Sequence, residues 1–125
     1  LEAPFLDVAS TMLDSELPHT QREYEEWGNP SDPQVLSYIR GYSPYDNVRR
    51  QAYPPVLLLH NFHDQIISPE RTLCWARHLR RLNTTQNPVL LVTGRDGSHA
   101  RQTDTTTEME QEALKYAFAI ESAGH

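Results

Sequence analysis

Two side chains of this 125-residue sequence, Asp64 and His99, are spaced so that they could carry out acid–base chemistry together. Asp64 closes the segment Asn61-Phe62-His63-Asp64, and His99 closes Gly97-Ser98-His99. Each segment follows a run of aliphatic residues of the kind that forms buried strands. A carboxylate fixes the tautomer of a neighbouring imidazole, which then acts as general base for a hydroxyl nucleophile. The pair therefore indicates a nucleophilic enzyme, although an Asp and a His in two loops also occur by chance.

The elements that would bring these two side chains together are two predicted parallel strands. Aliphatic runs predict strands at about 56–62 and 88–93, and continuous runs of this kind indicate burial on both faces. A predicted helix follows each strand, which is the pattern of a parallel α/β sheet, and such sheets gather functional side chains at the carboxyl ends of their strands. An acid and then a histidine is the second half of the order Ser, Asp, His in α/β-hydrolases. The predicted fold class is α/β, as the C-terminal portion of an α/β-hydrolase fold.

The helices beside these strands are predicted to turn apolar stripes toward the core. The first begins at Ser68-Pro69-Glu70 and the second spans 107–122. Their core-facing residues are predicted to be Leu73, Ala76, Leu79 and Leu82 in the first helix, and Met109, Ala113, Tyr116, Ala117 and Ile120 in the second. Cys74, beside the first stripe, is predicted to be a buried and unreactive thiol. Residues 5–18 carry apolar side chains without a clear period, which predicts an irregular, half-buried segment.

The nucleophile that such a pair would activate is missing from this sequence. α/β-hydrolases carry it in a Gly-x-Ser-x-Gly turn, and Ser98, for example, has Gly97 before it but His99 directly after it. The chain also begins Leu-Glu-Ala-Pro-Phe, without a methionine. We therefore expect the serine to lie upstream of Leu1, in a longer enzyme of which these residues are one piece.

Composition and charge exclude several other classes of function. The mean hydropathy of −0.65 and the short aliphatic runs exclude a membrane protein. Eleven basic against seventeen acidic side chains give a net charge of −6, which argues against a nucleic-acid partner. The single cysteine excludes a disulfide framework and a multi-cysteine zinc site, and with no signal peptide it predicts a cytoplasmic protein. His60 and His63 would point to opposite faces of a strand, so no metal site is predicted there.

Four segments of the first half resemble the prolyl oligopeptidase family of serine peptidases. They are Pro-Phe-Leu-Asp-Val at 4–8, Thr-Met-Leu-Asp at 11–14, Glu-Tyr-Glu-Glu-Trp-Gly-Asn-Pro at 23–30 and Tyr-Ser-Pro-Tyr-Asp-Asn-Val at 42–48. Within this family the sequence is most similar to the oligopeptidase B branch. Ile66 supports that branch, since prolyl oligopeptidases proper carry arginine at this position.

The resemblance implies roles for individual residues. Asp64, in the pair His63-Asp64, would be the acid of the triad, and His99 would be its histidine. Ser98 stands where the family has glycine, and Ala100-Arg101 stand where Gly-Gly is common, which would restrict the backbone around the histidine. The family also has an N-terminal β-propeller and a larger catalytic domain, which would be this segment's partners, and it needs no cofactor or metal.

Glu23 and Glu25 lie where the oligopeptidase B branch places the acidic residues that bind its substrates. A pair of carboxylates suits a guanidinium through bidentate hydrogen bonds. The residues themselves also favour another interpretation: Thr20 and Glu23 match a capping box at the start of a helix over about 21–27, which Gly28 would end. Residues two apart on a helix do not share a face, so both interpretations stay open.

The resulting prediction is a serine-type oligopeptidase that hydrolyses peptide bonds after Arg or Lys. Asp64 and His99 would act on a serine outside this chain, and the isolated segment would be inactive because it lacks the covalent step. One alternative is a prolyl-endopeptidase-like hydrolase of another specificity. The other is an inactive fragment with only an interaction role.

Overall fold

A computed structural model describes residues 1–17, 20–64, 66–94 and 105–124. Within these ranges the chain forms five helices and two strands. In chain order they are α1 (Val8–Leu13), α2 (Thr20–Trp27), α3 (Pro33–Tyr42), β1 (Val56–Asn61), α4 (Pro69–Leu82), β2 (Val89–Gly94) and α5 (Thr105–Ala123). The predicted strand–helix–strand–helix order of the second half is confirmed.

β1 and β2 pair in parallel, as predicted, with a register that runs from Val56 opposite Val89 to Asn61 opposite Gly94. Both strands therefore end at the same edge of the sheet, and α4 is the crossover between them. The other side of β1 is also paired, because Glu2 forms a parallel bridge with Leu59. The N–H of Leu59 donates to the carbonyl of Leu1 at 2.8 Å. β1 is thus paired along both edges, and the burial of its successive side chains Leu57, Leu58 and Leu59 on both faces accounts for the unbroken aliphatic run.

The main hydrophobic core lies between the sheet and α4. Its buried members are Leu6, Leu58, Trp75, Ala76, Leu79 and Val89. The prediction that β2 is buried on both faces is wrong, because Leu90 is 42% exposed and Val92 is 38% exposed. α4 covers one face of β2, whereas the other face borders an open groove of about 890 Å³ toward Phe118 of α5.

A second cluster joins α1 to α3 and consists of Val8, Ala9, Met12 and Ile39. Tyr24 of α2 packs against it, and the Tyr24 hydroxyl donates to the carbonyl of Met12 at 3.2 Å. The prediction of an irregular segment at 5–18 is wrong over residues 8–13. α1 is only six residues long, too short to show a period, and Asp7 caps it by accepting from the N–H of Ser10.

The predicted face of α4 is partly wrong. Ala76 and Leu79 are buried as expected, but Leu73 is 46% exposed, and Thr72 and Trp75 take the remaining buried positions. Cys74 is exposed, which contradicts the predicted buried thiol.

The predicted core face of α5 is wrong as well. Met109, Tyr116 and Ile120 are 67–73% exposed, whereas Leu114 and Phe118 are half-buried. Lys115 joins α5 to the start of the chain through its contact with Glu2, and it also contacts Glu112 of the same helix. Those two carboxylates raise the pKa of the Lys115 ammonium, chiefly by their hydrogen bonds. No helix in the described ranges is both long and apolar enough to cross a bilayer.

Gly28 ends α2, as predicted, in the left-handed region with φ of +88°. A Cβ at this position would lie 2.7 Å from Cγ1 of Val35 in α3. We expect Gly28→Ala to lower the free energy of unfolding by about 1–3 kcal/mol. The measurement is the melting temperature of the full-length protein, which should fall.

Gly41→Ala is the matched control for this substitution. Gly41 lies within α3, and a Cβ there meets no atom of the described chain within 4 Å. Alanine is preferred over glycine in a helix by about 1 kcal/mol, so this variant should melt at or above the wild-type temperature. Equal melting temperatures for Gly28→Ala and the wild type would refute the strain at Gly28.

Candidate active site

Asp64 lies in the loop that follows β1, at the edge of the sheet where both strands end. The N–H of Asp64 donates to the carbonyl of Asn61, the last residue of β1, at 3.2 Å. The N–H of Phe62 donates to the carbonyl of Gly94, the last residue of β2, at 2.9 Å. These bonds fix the Asp64 loop to the ends of both strands. This is the edge at which open α/β sheets carry their functional side chains.

The carboxylate of Asp64 is buried and held in one orientation. Its side chain has no exposed surface, and Oδ1 accepts hydrogen bonds from the N–H groups of Ile66 and Ile67, each at 2.9 Å. Backbone N–H donors stabilise the ionised form of a carboxylate. The loop thus supplies a fixed acceptor, which is the property that an orienting acid needs.

A second buried polar residue, His60, lies near the end of β1. Its Nδ1 is 2.7 Å from the hydroxyl of Thr72 in α4, and its Nε2 is 2.9 Å from the carbonyl of Ile67. Nε2 also lies 3.6 Å from Oδ2 of Asp64. The only role weighed for His60 from its sequence position was that of a metal ligand, and this network was not predicted. The sequence carried no signal for this network, because Thr72 lies outside the predicted apolar stripe of α4 and only the structure shows that its hydroxyl is buried and needs a partner.

A cleft of about 370 Å³ opens beside the Asp64 loop. Thr11 and Asp14 line it from α1 and its C-terminal end, and Arg71 lines it from α4. Nη1 of Arg71 contacts Oδ2 of Asp7 at 2.8 Å, so an ion pair ties the two walls together. The Asp64 loop therefore has an open side, and this side is lined by acidic residues, Asp14 and Glu70, and by the basic residue Arg71.

Glu23 and Glu25 both lie on α2, and the helix carries them on different sides. Glu23 is half-buried and Glu25 is exposed. Residues two apart on a helix are separated by about 200°, so the structure does not bring the two carboxylates to one face. Neither lines the cleft beside Asp64.

The predicted capping box at the start of α2 is wrong. Thr20 is already part of the helix and is buried, so it is not the N-cap. Within the described residues neither Glu23 nor Glu25 makes a hydrogen bond or an ion pair.

His99 lies in the segment 95–104, outside the described residues, together with Ser98, Ala100 and Arg101. β2 ends at Gly94, at the edge of the sheet that carries Asp64.

The architecture and the placement of Asp64 can be compared with those of known proteins. The sequence model described as "Prolyl oligopeptidase family" matches residues 1–125, the whole of this sequence. The chain belongs to the prolyl oligopeptidase family. The predicted family and the α/β-hydrolase architecture are both confirmed.

Members of the prolyl oligopeptidase family match this chain over different numbers of residues. Dipeptidyl aminopeptidase BI of Pseudoxanthomonas mexicana is 35% identical over 121 residues, which are 97% of this chain and 17% of that protein. The structure of oligopeptidase B from Leishmania major superimposes with a TM-score of 0.90 at 34% identity, covering 97% of this chain and 17% of that one. A prolyl endopeptidase-like protein of Macaca fascicularis is 58% identical over 57 residues, 45% of this chain and 8% of its own length. The chain thus spans about a sixth of the length of the relatives that match it throughout.

Proposed function

We propose that this chain is part of a serine peptidase that hydrolyses peptide bonds on the carboxyl side of Arg or Lys. Asp64 and His99 are the acid and the base of a Ser-Asp-His triad, and the serine lies outside these 125 residues. The observation that carries the proposal is the buried Asp64 carboxylate, held by two N–H donors at the carboxyl edge of a parallel sheet in a member of this family.

In the proposed mechanism His99 moves the proton. It takes the proton from the serine hydroxyl as the oxygen attacks the scissile carbonyl, and it later gives that proton to the leaving amine. Asp64 accepts a hydrogen bond from the other imidazole nitrogen, which keeps the correct tautomer and stabilises the imidazolium. Water then hydrolyses the acyl-serine by the same proton transfers, so no metal or cofactor is required.

In the same proposal Glu23, with Glu25 as a second carboxylate, binds the cationic side chain of the substrate. The half-buried position of Glu23 supports this role, because a partly desolvated carboxylate pairs more strongly with a guanidinium than an exposed one. The likeness to oligopeptidase B supports it further.

The remainder of the catalytic domain and a β-propeller are the proposed partners of this segment, and peptides are its substrates. The relatives that match the chain throughout are about six times as long, which leaves room for both. The isolated segment has no nucleophile of its own in this proposal and is expected to be inactive.

A prolyl-endopeptidase-like hydrolase of different specificity is the second candidate. The observation that favours it is the 58% identity over 57 residues to a protein of that name, which exceeds the identity to the relatives matched over the whole chain. The two candidates differ in the residue after which the enzyme cleaves.

The decisive test compares two substrates of the full-length protein. An anilide with Arg before the scissile bond should be cleaved far faster than one with Pro. Glu23→Gln should lower kcat/KM for the Arg substrate by about 10–100-fold, the value of one hydrogen bond between charged groups. Glu26→Gln, an exposed glutamate of the same helix, removes the same charge and should leave kcat/KM nearly unchanged.

Equal rates on the Arg and Pro substrates would contradict the basic specificity and favour the second candidate. If Glu23→Gln and Glu26→Gln instead changed kcat/KM for the Arg substrate equally, Glu23 would not belong to the binding site. That result would not contradict the preference for Arg over Pro.

A further inference from the structure

We infer that His60 is a positioning residue for catalysis, which fixes the loop that carries Asp64 without touching the reacting groups. The inference rests on the proposed role of Asp64 in the triad. The imidazole of His60 is buried, and the proposed triad assigns it no function.

The contacts of His60 define its tautomer. A carbonyl oxygen can only accept, so the 2.9 Å contact between Nε2 and the carbonyl of Ile67 requires a proton on Nε2. In the neutral imidazole Nδ1 is then the acceptor, and the hydroxyl of Thr72 donates to it at 2.7 Å. Both ring nitrogens are engaged and the side chain has no exposed surface. His60 is therefore a structural imidazole with neither ring nitrogen free, and it is unsuited to be the base of the triad.

A chain of hydrogen bonds runs from Thr72 through His60 and the backbone of Ile67 to the acid. The hydroxyl of Thr72 bonds to Nδ1 of His60, Nε2 of His60 donates to the carbonyl of Ile67, and the N–H of Ile67 donates to Oδ1 of Asp64. The carbonyl and the N–H of Ile67 belong to adjacent planar peptide groups, so His60 influences the carboxylate by fixing the position of the Ile67 backbone. These hydrogen bonds join β1, the Asp64 loop and α4 through Ile67, because both the carbonyl and the N–H of Ile67 are bonded.

His60 acts through the loop and not by direct contact with the acid. Its Nε2 is 3.6 Å from Oδ2 of Asp64, which is longer than a hydrogen bond. Without the imidazole, the carbonyl of Ile67 and the buried hydroxyl of Thr72 would lose their partners. The loop would then move to find others, and a displacement of about 1 Å can cost about 100-fold in rate.

The test measures kcat and KM of the full-length enzyme with the Arg substrate. His60→Leu removes both hydrogen bonds, and we expect kcat to fall by about 10–100-fold while KM changes by less than about threefold. His60→Gln can place an amide donor near the position of Nε2 and should recover most of the lost kcat. Thr72→Val removes only the hydroxyl at nearly constant shape and should lower kcat, whereas Thr72→Ser keeps the hydroxyl and should not.

The outcomes separate this inference from the proposed function. Wild-type kcat in both His60→Leu and Thr72→Val overturns the inference, and so does a fall in melting temperature without a fall in kcat. If His60→Leu does not fold, the Thr72→Val and Thr72→Ser pair decides the question. An unchanged kcat in Asp64→Asn would instead overturn the proposed triad itself, whatever the His60 variants do.

Discussion

Replacement of Asp64 by asparagine is expected to lower kcat of the full-length protein in the proposed peptidase reaction by about 10⁴-fold, with little change in KM. The side-chain oxygen of asparagine can still accept from the N–H groups of Ile66 and Ile67, so the loop should keep its conformation. The second oxygen becomes an NH₂ group, which donates where the catalytic imidazole also needs to donate. The imidazole then adopts the wrong tautomer and cannot accept the serine proton.

Asp46→Asn is the matched control for this variant. Asp46 is exposed in the turn after α3, and the substitution removes the same negative charge without affecting the sheet edge. Its kcat should equal that of the wild type. A kcat of Asp64→Asn within about tenfold of the wild type would show that another group orients the histidine. Circular dichroism of both variants checks that the fold is retained.

The sheet could be predicted because local sequence determines it. The run from Val56 to Leu59 is aliphatic without a break, which is typical of a strand covered on both faces. The short strand segment around Glu2 could not be predicted, since three residues carry no period. Its pairing with Leu59 depends on a contact across more than fifty positions of the chain.

The faces of the helices were predicted less well, for a different reason. Periodicity identifies an apolar stripe but does not identify the surface against which it packs. In α5 the half-buried residues Leu114 and Phe118 lie on another side of the helix from the stripe that contains Met109 and Ile120. In α4 the polar Thr72 takes a buried position in place of Leu73. Its hydrogen bond to His60 stabilises this arrangement, and hydrophobicity alone does not reveal it.

The candidate site was predicted in part. The place of Asp64 follows from its position after a buried strand, and the structure confirms that this loop lies where both strands end. The bonds from the N–H groups of Ile66 and Ile67 were not predicted, because they depend on how the backbone turns after the acid. The network of His60 was missed because its partners come from a loop and a helix that the sequence does not place against each other.

Replacement of His99 by alanine is expected to have the largest effect, a loss of about 10⁶-fold in kcat, because no other group would accept the serine proton. His63→Ala is the most demanding control, since this histidine directly precedes Asp64 and its side chain is exposed. We expect His63→Ala to keep nearly wild-type kcat. Loss of activity in His63→Ala and its retention in His99→Ala would reverse the assignment of the base.

The double variant Asp64→Asn/His99→Ala tests whether the two residues act as one unit. Asp64 works only by orienting and stabilising the imidazole, so its removal should cost nothing further once His99 is gone. The double variant should therefore have the same residual kcat as His99→Ala alone. If Asp64 instead held the loop for an unrelated reason, the two losses would multiply, as they do for independent sites. The equality of the double and single variants is thus the kinetic signature that links the acid after β1 to the histidine after β2.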